Sequence, residues 1–224
     1  MKVIIEKILF SFRKSYSLQV TENARLVIRV PYGIDEKEIR NIIKKHKRWI
    51  LTKIKLAQQI KQKVKKYNYE EGEKFLYLGN SYPLTFTKNQ SEPILFDKKF
   101  LISSEHSSNA KSILISWYKE RAKNIFLERI EYYATLYNFN FRKFQLSSAR
   151  KKWGSCSVNG DIKIAWRLVM APLAAIDYVV VHELAHLKIK NHSKEFWRIV
   201  ANVYPDYKIQ RVWLKENEPL LRLT

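Results

Sequence analysis

The chain has 224 residues, 46% of them hydrophobic and 13% aromatic, which is enough to bury a core and too apolar for a disordered tail. Its 42 basic residues against 21 acidic ones leave a formal charge of +21. That is far from neutral and favours an anionic partner such as nucleic acid or an acidic protein, unless the excess is a lysine-rich solvated face. The single cysteine, Cys156, excludes an internal disulfide framework and suits a reducing compartment.

Residues 3 to 30 read as β structure. Leu18 and Val20 alternate with polar neighbours, then Leu26, Ile28 and Val30 do the same, with Glu22-Asn23 as the turn between them. Met1 to Phe10 is apolar but interrupted by Glu6 and Lys7, so it reads as a strand rather than a signal peptide. No apolar run is long enough to cross a membrane, and the expectation is a soluble cytoplasmic protein with no membrane partner. Asp35 is a good N-cap for one long helix over about residues 36 to 66. Its apolar stripe runs through Ile39, Ile42, Ile43, Ile50, Ile54, Ala57, Ile60 and Val64. The other faces are strongly basic, from Lys44 and Lys45 through Arg48 and Lys53 to Lys61, Lys63 and Lys66. Such a face suits phosphate contacts, and it equally suits a plain amphipathic helix on a basic protein. His46 lies near the stripe and reads as structural.

Residues 67 to 105 return to short strands. Phe75, Tyr77, Leu84 and Phe86 flank a turn at Gly79-Asn80, and Asp97-Lys98-Lys99 joins a second hairpin. The Ser-rich connector Ser103 to Ser108 is the expected boundary between an N-terminal region, 1–105, and a C-terminal domain, 106–224. His106 in that connector has no visible partner. A second long helix is expected over about 109 to 138, with Leu114, Trp117, Phe126, Ile130 and Tyr133 on its buried side. Strands follow at 142–150 and 161–169, separated by the small-residue turn Gly154-Ser155-Cys156-Ser157.

Next comes the stretch that carries chemistry. Pro172 suits a first helical turn, and Ile176, Val179, Val180, Leu184 and Leu187 recur at helical spacing. On this helix His182, Glu183 and His186 form H-E-x-x-H. Residues four apart share a helix face, so the two imidazoles can reach one metal ion with Glu183 beside it as a base. Asn191 reads as the left-handed stop, and His192 returns a third imidazole just past it. Three histidines with one open position are the arrangement of catalytic zinc. Ser193 caps a following helix to about Val203. Pro205-Asp206 breaks that helix, and a last one runs to about Asn217.

The run Trp153-Gly154-Ser155-Cys156-Ser157, then Trp166-Arg167-Leu168, Ala171-Pro172, Ile176 to Leu187, Asn191-His192-Ser193 and Phe196-Trp197, closely resembles the YgjP-like metallopeptidases, which are similar to the SprT and Spartan group of zincins. Pro205-Asp206-Tyr207 and Trp213-Leu214 extend the likeness. The resemblance implies an α+β fold: a compact zincin-type C-terminal domain (helix, small antiparallel sheet, H-E-x-x-H helix, C-terminal helices). Before it stands a β-rich N-terminal part with one long basic helix. It implies one zinc ion per chain on His182, His186 and His192, with Glu183 catalytic in the hydrolysis of a protein or peptide substrate. Two positions depart from the pattern: Ala165 stands where Asn is usual, and Lys152 where Arg is common. Ile189 stands where a metzincin has Gly, which disfavours that group. The expected substrate lies extended along the edge strand near residues 161 to 166. Tyr207 or Arg211 reach back as oxyanion donors, Trp153 and Trp166 line the cleft or fill the core, and Asp177 caps or pairs elsewhere. Hydrolysis of a non-peptide amide, and nucleic-acid binding with or without DNA-dependent proteolysis, are the competing functions.

Overall fold

The fold is that of a computed structural model, which describes residues 3–63 and 65–223. Its contacts divide the chain into a unit that runs to Lys65 and a unit Lys66–Leu223. The expected boundary at 105/106 therefore falls inside the second unit. The reason is packing. The strands between residues 74 and 103 bury Phe75, Leu84, Phe100 and Ile102 in one core with Leu114, Trp117 and Tyr118 of the helix that follows. A Ser-rich connector marks a local turn, whereas a domain boundary needs few contacts to cross it.

In the first unit, β1 (Ile5–Ser11), β2 (Ser17–Val20) and β3 (Leu26–Pro31) form a sheet in the order β1-β3-β2. Strand β3 is central, parallel to β1 and antiparallel to β2. Its alternate residues Leu26, Ile28 and Val30 are fully buried. Helix α1 (Glu36–Lys45) starts in a complete capping box, with Asp35 accepting from the Glu38 amide at 2.7 Å. The single long helix expected here is two: α2 (Lys47–Lys63) begins after a break at His46. His46 has φ −102° and ψ 14°, outside the helical region, and its Nε2 lies 2.9 Å from the Tyr16 hydroxyl. The break lets Ile39, Ile50 and Ile54 close over the same sheet. Val64 of the expected stripe lies outside the described residues, as do the side chains of Ile60, Lys61 and Lys63.

The second unit holds β4 (Lys74–Tyr77), β5 (Asn80–Thr87), β6 (Ile94–Phe96) and β7 (Phe100–Ser103), in the order β4-β5-β7-β6. The β4–β5 turn sits one residue earlier than Gly79-Asn80. Leu78 and Gly79 both have positive φ, 47° and 82°, and Asn80 already pairs with Tyr77. The turn donates to the chain ahead of it, Leu78 N–H to Val169 O at 3.0 Å and Gly79 N–H to Met170 O at 3.1 Å. A β-carbon on Gly79 would come within 2.8 Å of Pro172 Cγ, so only glycine allows this approach.

Helix α3 (Ala110–Leu136) crosses the core, and the Tyr118 hydroxyl donates to Leu76 O at 2.6 Å. A second small sheet follows: β8 (Lys143–Ser147), β9 (Gly154–Cys156) and β10 (Asp161–Ala165), in the order β8-β10-β9. The strand expected over 161–169 stops at Ala165, because Trp166–Met170 is a buried 3-10 turn. Helices α4 (Leu173–Ala185), α5 (Lys194–Val203) and α6 (Tyr207–Asn217) complete the unit. This is an α+β fold.

Candidate metal centre

Helix α4 is buried nearly all round, from Ala175 to Ala185. One of its few charges, Asp177, is held by Arg129 of α3 in a bidentate pair at 2.6 and 3.0 Å. That pair fixes the helix against α3 and takes Asp177 away from the histidines. The helix ends sooner than Asn191: Ala185 is its last residue and His186 its C-cap, still right-handed at φ −66° and ψ −15°. The chain then turns tightly, with the Leu187, Lys188 and Ile189 amides donating back to Leu184 and Ala185. This early stop folds residues 187–192 over the end of α4. Ser193 caps α5 through the Phe196 amide, as the sequence suggested.

The structure brings His182, His186 and His192 together. One ligand-capable atom from each lies within 4.8 Å of the others. Nε2 of His182 and Nε2 of His192 are 3.0 Å apart. Nδ1 of His186 is 3.0 Å from Ile189 O. A carbonyl can only accept, so this nitrogen carries the proton and Nε2 is left bare. Burial first, then His186, His192 and Arg211, pull His182 down to about 3. Burial also lowers His186. Neutral rings that aim acceptor nitrogens at one another repel unless a proton or a cation lies between them. Nitrogens about 2.0–2.1 Å from a tetrahedral zinc stand roughly 3.3 Å apart, close to the 3.0 Å between the His182 and His192 nitrogens. The donor set fits a small divalent cation.

Glu183 is only 5% exposed, and its Oε2 has no partner among the described residues. Burial pushes its carboxyl up to about 8, partly offset by Lys152. Gly154 of β9 makes room for it: a β-carbon there would fall on the Glu183 carboxylate, 2.6 Å from Cγ and 2.7 Å from Cδ. Around the imidazoles stands an aromatic wall. Phe196 lies 4.5–4.9 Å from all three rings, Trp197 5.7 and 5.8 Å from His182 and His192, and Tyr178 5.9 Å from His182. The spacing Ser193-x-x-Phe196-Trp197 held the signal for the first two, a cap followed by apolar residues on its first turn. No sequence signal singles out Gly154 as the neighbour of Glu183.

The other residues singled out from the sequence sort cleanly. Trp166 is core, stacked on Tyr118. Arg211 lies over Trp197 at 5.0 Å and Tyr207 stacks on the same ring at 5.3 Å. Cys156 and His106 lie outside the triad. The substrate strand needs correction. Residues 161–165 form β10, the centre of its sheet with β8 and β9 on either side, so β10 has no open edge. The edge beside Glu183 is β9. Trp153 O accepts from Ala165, and Ser157 N–H donates to Asp161. Alternation then turns the main-chain groups of Gly154 and Cys156 away from β10, towards that edge. Beside the triad lies a cleft of about 250 Å³ lined by Trp153 and Tyr178 and by the cations Arg150, Lys151, Lys152, Arg211 and Lys215.

A family model described as YgjP-like, metallopeptidase domain, matches residues 14–217. The chain is 33% identical over 72 residues to a protein of Escherichia coli (strain K12) described as UTP pyrophosphatase. That match spans 30% of this chain and 43% of the relative's length. Among solved structures, the metallopeptidase zymogen of Pyrococcus abyssi abylysin resembles it with a TM-score of 0.38 and 21% identity, over 44% of this chain and 98% of that one.

Proposed function

This chain belongs to the YgjP-like family of metallopeptidase domains, and from that premise we propose that it is a zinc-dependent metallopeptidase, with His182, His186 and His192 as ligands and Glu183 as general base. The observation that carries this is the convergence of three imidazoles, with ligand-capable nitrogens within 4.8 Å of one another, and a buried carboxyl on the residue adjoining His182. A zinc ion, when bound, supplies Lewis-acid polarisation and activates water near neutral pH. His186 is oriented for this by its hydrogen bond to Ile189 O. Glu183 accepts the proton that the attacking water loses and delivers it to the leaving nitrogen. The water's hydroxyl goes to the acyl carbon, the C–N bond breaks, and the amine leaves with that proton. A carboxyl raised by burial is a stronger base than one in water, and a divalent cation bound at the histidines would favour its ionised form. Phe196 and Trp197 wall one side of the imidazoles, and His192 stays open to solvent. An extended peptide fits against the open edge of β9, bonding to the main chain of Gly154 and Cys156.

The test compares Glu183→Gln with the parent in metal content and in cleavage of casein, peptides and small amides. Metal retained with cleavage lost supports the assignment. Undiminished cleavage overturns it.

A second reading keeps the site and changes the bond to a phosphoanhydride. The cation-lined cleft beside the triad favours it, and so does the description of the E. coli relative. Water would then give its hydroxyl to phosphorus and its proton, through Glu183, to the departing phosphate oxygen. Nucleic acid is the further partner class we propose, through the first unit and not through this site. Residues 1–65 hold 17 of the 42 basic residues and 5 of the 21 acidic ones.

A further inference from the structure

The cleft beside the triad contains more positive charge than the peptidase reading uses. Arg150, Lys151 and Lys152 come from the segment between β8 and β9, and Arg211 and Lys215 from one face of α6. The single carboxylate in its wall, Glu218, accepts from Arg222 at 2.6 Å. None of the five cations is paired with a carboxylate in the described structure. Nearby, Arg167 is depressed by burial and then by the charges of Arg150 and Arg222. Cations crowded on low-dielectric walls repel one another and focus a positive field into the space between them.

We infer that this cleft is a polyphosphate subsite, which holds a di- or triphosphate chain against the catalytic centre. Its size and placement carry the inference. A space of about 250 Å³ is room for roughly eight waters, so several phosphate groups fit. Tyr178 lines the cleft and packs on His182, and Arg211 lines it and covers Trp197. A chain seated there is separated from His182 by the Tyr178 ring. Charge density separates phosphate from an acidic peptide. On an extended peptide the side chains of one face recur about every 6.6 Å, whereas a phosphate chain sets its charges on adjoining groups. Two guanidinium forks match phosphate oxygens bidentately, and three ammonium groups supply point charges. The subsite serves the phosphoanhydride reading and rests on it for its purpose.

The experiment is calorimetric titration of the full chain with inorganic tripolyphosphate, in metal-loaded and metal-stripped protein, with penta-glutamate as the carboxylate comparison. Glu183→Gln is titrated alongside, so that binding is read without turnover. Binding that persists in stripped protein, and that Lys151→Glu/Lys215→Glu weakens by roughly tenfold or more, supports the subsite. A circular dichroism spectrum and Tm matching the parent show that the double variant is folded. Arg150→Gln is the milder second variant and weakens binding in the same direction. Binding lost on stripping and unmoved by the cleft variants marks chelation by the metal and overturns the subsite. So does tighter binding of penta-glutamate, or no binding. A bound tripolyphosphate with no phosphoanhydride turnover by the metal-loaded parent leaves the subsite standing and removes the second reading of the reaction.

Discussion

At the scale of single residues, Glu183 sits where its charge is costly. Its folded pKa of about 8 lies well above the ordinary 4.5. In metal-stripped protein the carboxyl therefore contributes no penalty below about pH 4.5, and an increasing one as pH rises towards 8. Glu183→Gln should raise the Tm of stripped protein at pH 8 and leave it nearly unchanged at pH 4, in thermal melts at both values. Gly154 gives a second prediction. Alanine there drives its β-carbon onto the Glu183 carboxylate. The carboxylate, the end of a flexible side chain, moves before the backbone does. Gly154→Ala should lower kcat by about 100-fold, the usual worth of a well-placed base, with metal content and fold intact. His192 offers the third. It is exposed and lies in the turn ahead of α5, so His192→Ala should spare the fold. Metal affinity should fall beyond the roughly 10–100-fold that outer partners cost, measured by competition with a chelator.

At the scale of elements, α4 is held from two sides. Arg129 and Asp177 tie it to α3, with side chains 19% and 10% exposed. Breaking such a pair strands a charge in a poorly solvated place. Arg129→Ala should cost about 3 kcal/mol in urea unfolding, and Arg129→Met with Asp177→Leu should recover much of it. The β4–β5 turn holds the other side, through its two hydrogen bonds to Val169 and Met170 and through Gly79 against Pro172. Gly79 was visible as a turn residue, but its contact with the start of α4 was not. The helix itself was legible down to the spacing of its two histidines, because 3.6-residue periodicity is local. Its end was not, because Leu187 and Ile189, both partly buried, read as further helix until the turn folds back.

At the scale of the whole molecule, the core of the second unit is rich in tyrosine. Burial raises Tyr69 and Tyr133 to about 12, and drives Tyr118 well above its usual 10. These phenols hold their protons more tightly folded than unfolded. Their contribution is complete below about pH 10 and is lost as pH rises from there towards 12. Alkaline unfolding should coincide with a cooperative rise in tyrosinate absorbance, later than free tyrosine titrates. The first unit adds a prediction through charge. Lys44, Lys45, Lys47 and Arg48 are exposed at the junction of α1 and α2. If this face binds single-stranded nucleic acid, the affinity should fall steeply with salt, and reversing those four charges should flatten the slope by about three units.

The sequence by itself determined what depends on near neighbours. Alternation in β3, the Asp35 N-cap, the Ser193 cap and the two imidazoles four residues apart each need only a few adjacent residues to be recognisable. The tertiary structure alone decided which distant parts meet. It made β9 rather than β10 the open edge, placed Gly154 against Glu183, moved the unit boundary to Lys65, and gathered five cations from two segments around one cleft. Those outcomes depend on how buried surfaces far apart in the chain fit one another, and local pattern holds no record of that fit.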